Sequence, residues 1–345
     1  MVYALAMSWQ AAPPSIRDQN AMIAFLIEQQ LLSWKGRSLD KNNVEKGLFE
    51  LNNYEWAYVY KISGEKVSKL EKNGSSPTNQ AYENRSDAYL RLLQKAFAGA
   101  PTHHDFMLGI CVNDCAPDLA MVPTFSFQKR VDQSSILLPD IDFLTNDFYE
   151  NFPRDSIHYD DKNIVASFAG ATSGGGEITA ETIRANPFPR LRAARFFRDC
   201  DEVIFRLPAL VQCDEEARAI LLEEGWGHGH VSWDVSYNSR FGISIDGNGA
   251  ACSRPALVLG SKSVLIKYAS EHVLFYFPAM IDGVHFVGVH SDQEVLDIVK
   301  RERSSPGTYR EIAGNGREFA HYLFDRAFMY RYTRRLMHEY YCLMQ

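Results

Sequence analysis

ISIDGNGAACSRPALVLGSKSVLIK, residues 243–267, contains the succession of elements that decides the fold. A short apolar run ends at Asp246, and a Gly-Asn-Gly turn follows it. Ser253-Arg254-Pro255 then predicts the first turn of a short helix, where proline is tolerated because its missing N–H has no helical acceptor. The apolar residues 264–266 predict another strand. A strand, a helix and a strand in this order indicate parallel strands joined by a crossover helix.

Strand and helix signals alternate on both sides of this stretch. Strands are predicted at 164–168, 202–207, 241–245 and 284–289, and helices at 190–199, after Asp214 and after the capping box of Ser291 to Glu294. Such alternation indicates an α/β fold, with helices on both faces of a mostly parallel sheet. The ligands of such sheets bind at the carboxyl ends of the strands.

The first and last parts of the chain carry separate signals. The N-terminal predictions are, in order, a helix at 20–34 capped by Asn20, a strand at 54–62, a loop at 66–85, a helix from a Ser86 cap to a stop at Gly99, and a strand at 106–112. The last of these strands ends in Asn113-Asp114, which places Asp114 at a carboxyl end. Residues 311–341 predict a long helix broken at Gly314-Asn315-Gly316 that packs back across the first lobe.

Composition limits the size of the fold and its partners. The chain has 345 residues, 46% of them hydrophobic, which is enough for two domains with separate cores. The charged, turn-rich residues 151–163 are the best candidate boundary. The 36 basic and 43 acidic residues give a net charge of -7, which argues against nucleic acid as a partner.

The cysteines and the hydropathy pattern predict a cytoplasmic location. The 6 cysteines include no CxxC pair and no dense spacing, which favours a reducing compartment. The opening residues 1–15 lack the basic segment of a secretory signal, and no stretch has the roughly 18 uncharged apolar residues of a spanning helix. Peripheral contact with the cytoplasmic face of an inner membrane stays open.

Two glycine-containing loops are candidates for binding an anion. FAGATSGGG, residues 168–176, allows backbone N–H groups to approach a ligand closely, although a flexible surface loop is the alternative. At Ser253, an anion would meet the helix N-terminus and the two-pronged guanidinium of Arg254. The alternative there is that Asp-Gly and Asn-Gly are ordinary turn dipeptides.

Three other motifs are weaker indications of a functional site. CVNDC, residues 111–115, offers Asp114 as a general base, although most such residues cap a turn, and its cysteines are not a convincing metal pair. GHGH, residues 227–230, lacks a third metal ligand and is interpreted as a polar loop. The basic run of Arg331, Arg334, Arg335 and His338 is interpreted first as a solvated helix face and second as a contact for phosphorylated acceptors or lipid headgroups.

Together these segments resemble glycosyltransferase family 90, which includes Rumi-type protein O-glucosyltransferases, capsule-associated xylosyltransferases and lipopolysaccharide-modifying proteins. VPTFSFQK (122–129) is similar to the family's PVFSFSK, and SFAGATSGGG (167–176) to its FRG-S/A-x-T-G loop. The 243–267 stretch resembles the DGNG/GVAAS turn, SxR and L..GS.V.K continuation. FYFPAMIDGVHFVGVHSDQEV (275–295) is similar to FFYPxLxPWVHYxPVxxDLxxL. The resemblance covers roughly residues 105–340.

The resemblance implies a GT-B fold in which two Rossmann-like domains face a cleft. The implied domains are an acceptor-side domain at 1–155, a sugar-nucleotide-binding domain at 156–310, and C-terminal helices at 311–345 that pack back toward the first domain. The implied reaction is inverting transfer of a sugar of glucose or xylose type from a UDP-sugar to a glycan hydroxyl, without metal or other cofactor. A bacterial-type member suggests lipopolysaccharide or capsule assembly, with an acceptor that is lipid-linked in some pathways.

The resemblance also assigns roles to residues. Asp114 matches the catalytic aspartate, and Arg254 the arginine that binds the diphosphate. The implied donor-binding residues are Gly170, Ala171, Thr172, Ser173 and Gly174 in the first loop, Gly249, Ala250, Ala251, Cys252 and Ser253 in the second, and Lys267. A second phosphate-binding arginine follows the first loop in relatives, and Arg184, Arg190 and Arg192 compete for that position.

This chain departs from the family pattern at two positions. Ala169 stands where relatives have an arginine, and Leu274 replaces an acidic residue, with Glu271 as a substitute. These departures leave open a catalytically silent protein that binds sugar nucleotides or glycans. A metal-dependent GT-A transferase or hydrolase is the other alternative, with Asp160-Asp161 and the nearby Asp155 as its acidic cluster.

Overall fold

The computed structural model describes residues 12–72, 79–114, 122–185, 188–228 and 232–345. Along residues 12–151 the elements are α1 (Gln19–Leu31), α2 (Lys41–Leu51), β1 (Ala57–Ser63), β2 (Lys66–Lys69), α3 (Gln80–Phe97), β3 (Phe106–Cys111), β4 (Thr124–Ser126), β5 (Lys129–Arg130), β6 (Ile136–Leu137) and α4 (Ile141–Thr145).

The second half of the chain alternates between strands and helices, as its pattern predicts. Its elements are β7 (Asn163–Ala171), α5 (Ala180–Ala185), α6 (Pro189–Phe196), β8 (Val203–Ala209), α7 (Glu215–Glu223), α8 (Trp233–Tyr237), β9 (Ser239–Ser244), α9 (Ser253–Gly260), β10 (Val264–Tyr268), β11 (His272–Val273), β12 (Val287–Val289), α10 (Asp292–Ser304), α11 (Arg310–Leu323) and α12 (Arg326–Cys342).

The chain forms two compact units. The parallel-sheet unit comprises Phe152–Ser270 and Met280–His321, and the mixed-sheet unit comprises residues 12–151, Glu271–Ala279 and Tyr322–Gln345. The first division of the chain falls at residues 151 and 152, inside the predicted boundary segment. The predicted domains at 1–155, 156–310 and 311–345 stay a prediction, because compact units are not by themselves independently folding domains.

The parallel-sheet unit contains a five-stranded sheet in the order β12-β10-β9-β7-β8, with every pair parallel. Numbered along this unit and read from β8, the order is 2-1-3-4-5, which is one of the two common doubly wound arrangements. The chain therefore reverses its direction of winding between β7 and β9. This reversal leaves a crevice at the carboxyl ends of these two strands, where ligands of such sheets bind.

Helix α9 lies very close to β9 in this unit. A Cβ atom at Gly242 would stand 2.6 Å from a methyl group of Val258, so only glycine allows the helix to pack this near the strand. The apolar face of α9 is buried, including Leu257, Val258 and Leu259. This packing fixes the position of Arg254, the second residue of the helix.

The mixed-sheet unit contains a five-stranded sheet in the order β2-β1-β3-β4-β6. Strands β3, β4 and β6 are parallel, whereas β1 is antiparallel to both of its neighbours. Helix α12 packs against α3, and the Tyr340 hydroxyl of α12 donates to the Met107 carbonyl of β3. These sheets confirm the predicted α/β class, although the β1–β2 hairpin departs from an all-parallel Rossmann-like sheet.

Two N-terminal helix boundaries predicted from the sequence are wrong. Residues 66–85 include β2 and the start of α3, whose cap is Asn79 rather than Ser86. Ser86 lies fully buried within the helix, 2.9 Å from the Tyr60 hydroxyl, where it packs instead of capping. Helix α1 is likewise capped by Asp18 rather than Asn20, because the Asp18 carboxylate accepts an N–H of the first turn.

The predicted helix break at Gly314-Asn315-Gly316 is also wrong, because α11 continues through it. A Cβ atom at Gly316 would lie 2.7 Å from the His285 carbonyl oxygen. The glycine therefore allows a close helix contact and does not end the helix. The helix ends at Leu323, and Asp325 then caps α12.

Among the described residues, none of the helices combines the length and the apolar composition that crossing a bilayer requires. Gly229 and His230 of the GHGH motif and Cys115 of CVNDC lie outside the described residues. The same holds for residues 1–11 of the opening segment.

A buried ion pair in the parallel-sheet unit gives a stability prediction. Glu302 is fully buried, and its carboxylate lies 2.8 Å from Nη1 of Arg240 and 3.0 Å from the Tyr159 hydroxyl. The Glu302→Ala substitution should lower the free energy of unfolding by about 3–5 kcal/mol, because it leaves Arg240 buried and unpaired. Chemical denaturation should measure this loss, and the exposed Glu311→Ala control should change stability by about 0.5 kcal/mol or less. Equal effects of the two substitutions would contradict the buried pair's role.

Candidate functional site

The crevice between β7 and β9 contains the two glycine-containing loops predicted from the sequence. The first loop continues from Gly170 at the end of β7, and the second from Asp246 after β9. The loops touch each other, because a Cβ atom at Gly174 would lie 3.1 Å from backbone atoms of Gly247. Gly174 also has a φ of 122°, which disfavours any other residue. The structure thus brings the two predicted donor loops together.

Arg190 ties the ends of the two strands to each other. Its Nη1 donates to the Ala171 carbonyl at 3.0 Å and to the Ser173 hydroxyl at 2.9 Å. Its Nε and Nη2 donate to the Ile245 carbonyl at 3.3 and 3.1 Å. Most N–H groups of this guanidinium are therefore occupied by the protein, and the side chain shapes the crevice.

Arg254 lies in the same crevice but keeps donor groups unused. Its Nη2 donates to the Ala169 carbonyl of β7. Its Nε is buried and has no hydrogen-bond partner among the residues that the structure describes. A buried donor without an acceptor costs about 1–3 kcal/mol, so it calls for an explanation. A bound anion would supply the missing acceptor.

Two aromatic rings hold the Arg254 guanidinium in place. Its central carbon stands 4.4 Å from the centre of the Phe168 ring and 5.7 Å from that of Trp233. The Arg190 guanidinium also lies over Phe168, at 5.5 Å. Neither ring is predicted from the sequence as part of the site, and Trp233 carries no local signal, since it comes from α8. Rings on the guanidinium faces leave its edge available for hydrogen bonds.

The crevice holds more positive than negative charge. Burial, and then the nearby charge of Arg190, lowers the pKa of Arg254 to about 9. Burial lowers the pKa of Arg190 to about 10, and Asp246 acts in the opposite direction. Burial also lowers the pKa of Lys267, again against Asp246. Both arginines stay charged at neutral pH, which favours an anionic ligand.

The first turn of α9 also favours an anionic ligand. No side chain caps the helix, because Cys252 at the cap position makes no capping hydrogen bond. The first N–H groups of a helix carry partial positive charge and bind anions. The residues predicted as the backbone cradle, which lead into this end, are Gly249, Ala250, Ala251, Cys252 and Ser253.

Other predicted donor-site residues have different positions. Thr172 is fully buried, and its hydroxyl donates to the Val211 carbonyl at 2.8 Å, so it anchors the loop to the chain after β8. Arg184 is exposed in the last turn of α5. Arg192 pairs with Asp292 at 3.3 Å. Of the three rival arginines, the described contacts bring only Arg190 to both loops.

Asp114 lies in the mixed-sheet unit, beyond the carboxyl end of β3. Its Oδ1 accepts a hydrogen bond from Nη1 of Arg85 at 3.1 Å, and its backbone carbonyl accepts one from Gln128 at 2.7 Å. The same Arg85 nitrogen donates to the Val112 carbonyl at 2.7 Å. Arg85 is not predicted as a site residue, because the sequence pattern places it in a loop. The carboxylate is therefore oriented and partly exposed, as a general base requires.

The acidic residues proposed for a GT-A metal site have structural partners. Asp155 forms an ion pair with Lys162 at 2.8 Å, and both side chains are buried. Asp160 pairs with Arg310. The carboxylates of Asp155 and Asp160 are therefore engaged in ion pairs within the protein.

An all-parallel doubly wound sheet with two arginines at its reversal point is an arrangement with which α/β proteins commonly bind phosphate-bearing ligands. Residues 191–345 match the family model described as Glycosyl transferase family 90. This match supports the resemblance to glycosyltransferase family 90 over that part of the chain, and with it a glycosyltransferase. A comparison with curated proteins found no match. The matched range includes Arg254 and excludes Asp114 and the β7 loop.

Proposed function

We propose that this enzyme transfers a sugar from a nucleoside diphosphate sugar, with UDP as the nucleotide, and that Arg254 binds the diphosphate. The observation that supports this proposal most is the buried Nε of Arg254, which lacks an acceptor beside the second cation Arg190. A diphosphate oxygen would accept the N–H of Nε, the buried donor that the described residues leave unused. The negative charge of the diphosphate would then balance the positive charge of the crevice, which the protein alone leaves unbalanced.

The proposed reaction inverts the anomeric carbon. Asp114 accepts the proton of an acceptor hydroxyl while that oxygen attacks the anomeric carbon, and the bond to the diphosphate oxygen breaks on the opposite side. Negative charge then develops on the leaving diphosphate. Arg254, Arg190 and the N–H groups at the start of α9 stabilise that charge without a metal ion. Arg85 holds the Asp114 carboxylate in one orientation.

The proposed acceptor is a glycan, in lipid-linked or free form, and the sugar is of glucose or xylose type. Assembly of lipopolysaccharide or capsule at the cytoplasmic face of an inner membrane is the setting that we propose. This setting rests on the resemblance to bacterial relatives and not on a feature of the site.

Metal-independent binding of UDP is the first prediction from this proposal. UDP at about one hundred times its dissociation constant should stabilise the protein by about 2.7 kcal/mol and raise its unfolding temperature. The rise should be the same in EDTA and in Mn²⁺, because arginines and helix N–H groups meet the phosphate charge. Thermal denaturation with UDP, GDP and CMP checks both points. A rise in unfolding temperature that requires Mn²⁺ would contradict the proposed site. A rise with GDP alone would identify GDP, and not UDP, as the nucleotide.

A further inference from the structure

A second basic cavity lies in the mixed-sheet unit, at the end of β3 opposite to Asp114. It has a volume of about 330 Å³, within the usual range for small-molecule sites. Its wall consists of the loop between α3 and β3 and the last turns of α12. Because Phe106 begins β3 and Asp114 follows its end, this cavity is separate from the proposed catalytic base.

Cationic and imidazole side chains line part of this cavity. They are Arg334, Arg335 and His338 from α12, and His103 and His104 from the loop. The four-residue spacing of Arg334 and His338 places them on the same face of the helix. No acidic side chain is among the described residues that line the cavity.

Neither guanidinium in the cavity has an ionic partner in the ranges that the structure describes. Other arginines of this protein are paired, such as Arg326 with Asp147 and Arg195 with Glu224. Arg334 and Arg335 make no such pair there, although the chain carries a net charge of -7. Two adjacent unpaired guanidinium groups beside imidazoles form a set of donors that suits phosphate oxygens.

Apolar side chains line another part of the cavity. Phe97, Pro101 and Phe106 line it, and Phe97 and Phe106 are buried. His104 is held in place by stacking on Tyr341, with ring centres 4.1 Å apart. An occupant would therefore place a charged group on the arginines and an uncharged organic body on these rings.

We infer that this cavity binds a phosphomonoester attached to a small organic body. The charged group fits because α12 supplies two guanidinium groups and an imidazole, and the body fits because apolar side chains also line the cavity. A soluble phosphate ester and the phosphomonoester headgroup of a lipid share this chemistry. The site is additional to the donor crevice, because it uses no residue of the parallel-sheet unit.

Titration of the full chain with glycerol 3-phosphate tests this inference. Calorimetry at low salt should detect binding that glycerol does not show. The Arg334→Gln/Arg335→Gln variant should bind at least about tenfold more weakly, since each charged hydrogen bond contributes that much or more. Arg91→Gln/Lys95→Gln removes two exposed charges from α3 outside the cavity and should leave the affinity unchanged. Arg254→Met should also leave it unchanged, which excludes binding in the donor crevice.

Vesicles distinguish the two sources of the phosphate. Sedimentation with phosphatidylcholine vesicles that contain phosphatidic acid, and release by glycerol 3-phosphate, would identify a lipid headgroup. Binding of glycerol 3-phosphate without sedimentation would identify a soluble ester. The inference is overturned if neither probe binds, if glycerol binds equally well, or if the Arg334→Gln/Arg335→Gln variant keeps the affinity of the wild type. Unchanged binding of UDP to that variant would show that it is folded.

Discussion

The Asp114→Asn variant should release UDP from a UDP-sugar about 10²- to 10⁴-fold more slowly than the wild type. The amide cannot accept the proton that the attacking hydroxyl loses, whereas its oxygen can still accept the hydrogen bond from Arg85. The geometry at the end of β3 should therefore persist. UDP release with water as the acceptor measures this effect without knowledge of the natural acceptor.

The control is a substitution that removes the same charge near the other end of β3. Asp105 precedes β3 and is exposed, so Asp105→Asn removes the same charge at the opposite end of the strand. We expect unchanged turnover in this control. UDP should bind the Asp114→Asn variant with the affinity of the wild type, because a general base contributes to the chemical step and not to nucleotide binding. Turnover of Asp114→Asn equal to that of the control would exclude Asp114 as the base.

The sequence predicted the parts of the fold that depend on local pattern. Strands β7 to β10 are short apolar runs bounded by turn residues, and Pro255 specified the first turn of α9. The position of Arg254 at that helix start followed directly. The N-terminal boundaries failed where polar residues gave no periodic signal, as at 66–69, which form β2 because they pair with β1.

Contacts between distant residues could not be predicted from local pattern. Arg190 donates to a carbonyl 55 positions away, and Arg85 pairs with Asp114 across 29 positions. One sequence without relatives gives no information on such pairs, so three arginines remained equivalent candidates. The packing of α6 against β8, together with the hydrogen bonds of its side chain, brings Arg190 to the crevice. Similarly, Gly316 appeared to break a helix because its packing partner, His285, is distant in sequence.

The unequal use of hydrogen bonds by Arg190 and Arg254 indicates different functions. Arg190 donates to two carbonyls and a hydroxyl, so its removal would leave buried acceptors without partners. Arg254 has one carbonyl partner and an unused buried Nε. A buried cation without a carboxylate partner lowers the stability of the free protein, and binding of a dianion offsets that cost. We therefore propose that Arg190 positions the loops and that Arg254 contacts the ligand.

The Arg254→Met variant should separate ligand binding from stability. Methionine is apolar and of comparable length, so it can pack on Phe168 and Trp233 without a buried charge. We expect UDP affinity to fall by about 2–5 kcal/mol, or roughly 30-fold to several thousand-fold, as for the loss of a buried charged hydrogen-bond partner. The unfolding temperature without nucleotide should stay the same or rise, because removal of the unpaired buried charge offsets the loss of the hydrogen bond to the Ala169 carbonyl. Calorimetry with UDP and thermal denaturation measure the two quantities.

The rival arginines supply the controls for this prediction. Arg192→Met and Arg184→Met change residues that lie outside the crevice contacts, and both variants should bind UDP as the wild type does. Arg190→Met should lower the unfolding temperature, because the Ala171 and Ile245 carbonyls lose their donor. If Arg254→Met binds UDP normally while Arg192→Met does not, the diphosphate is bound by the start of α6 instead. If Arg254→Met instead unfolds at a lower temperature, the guanidinium is a structural group, and its unused Nε does not mark a ligand site.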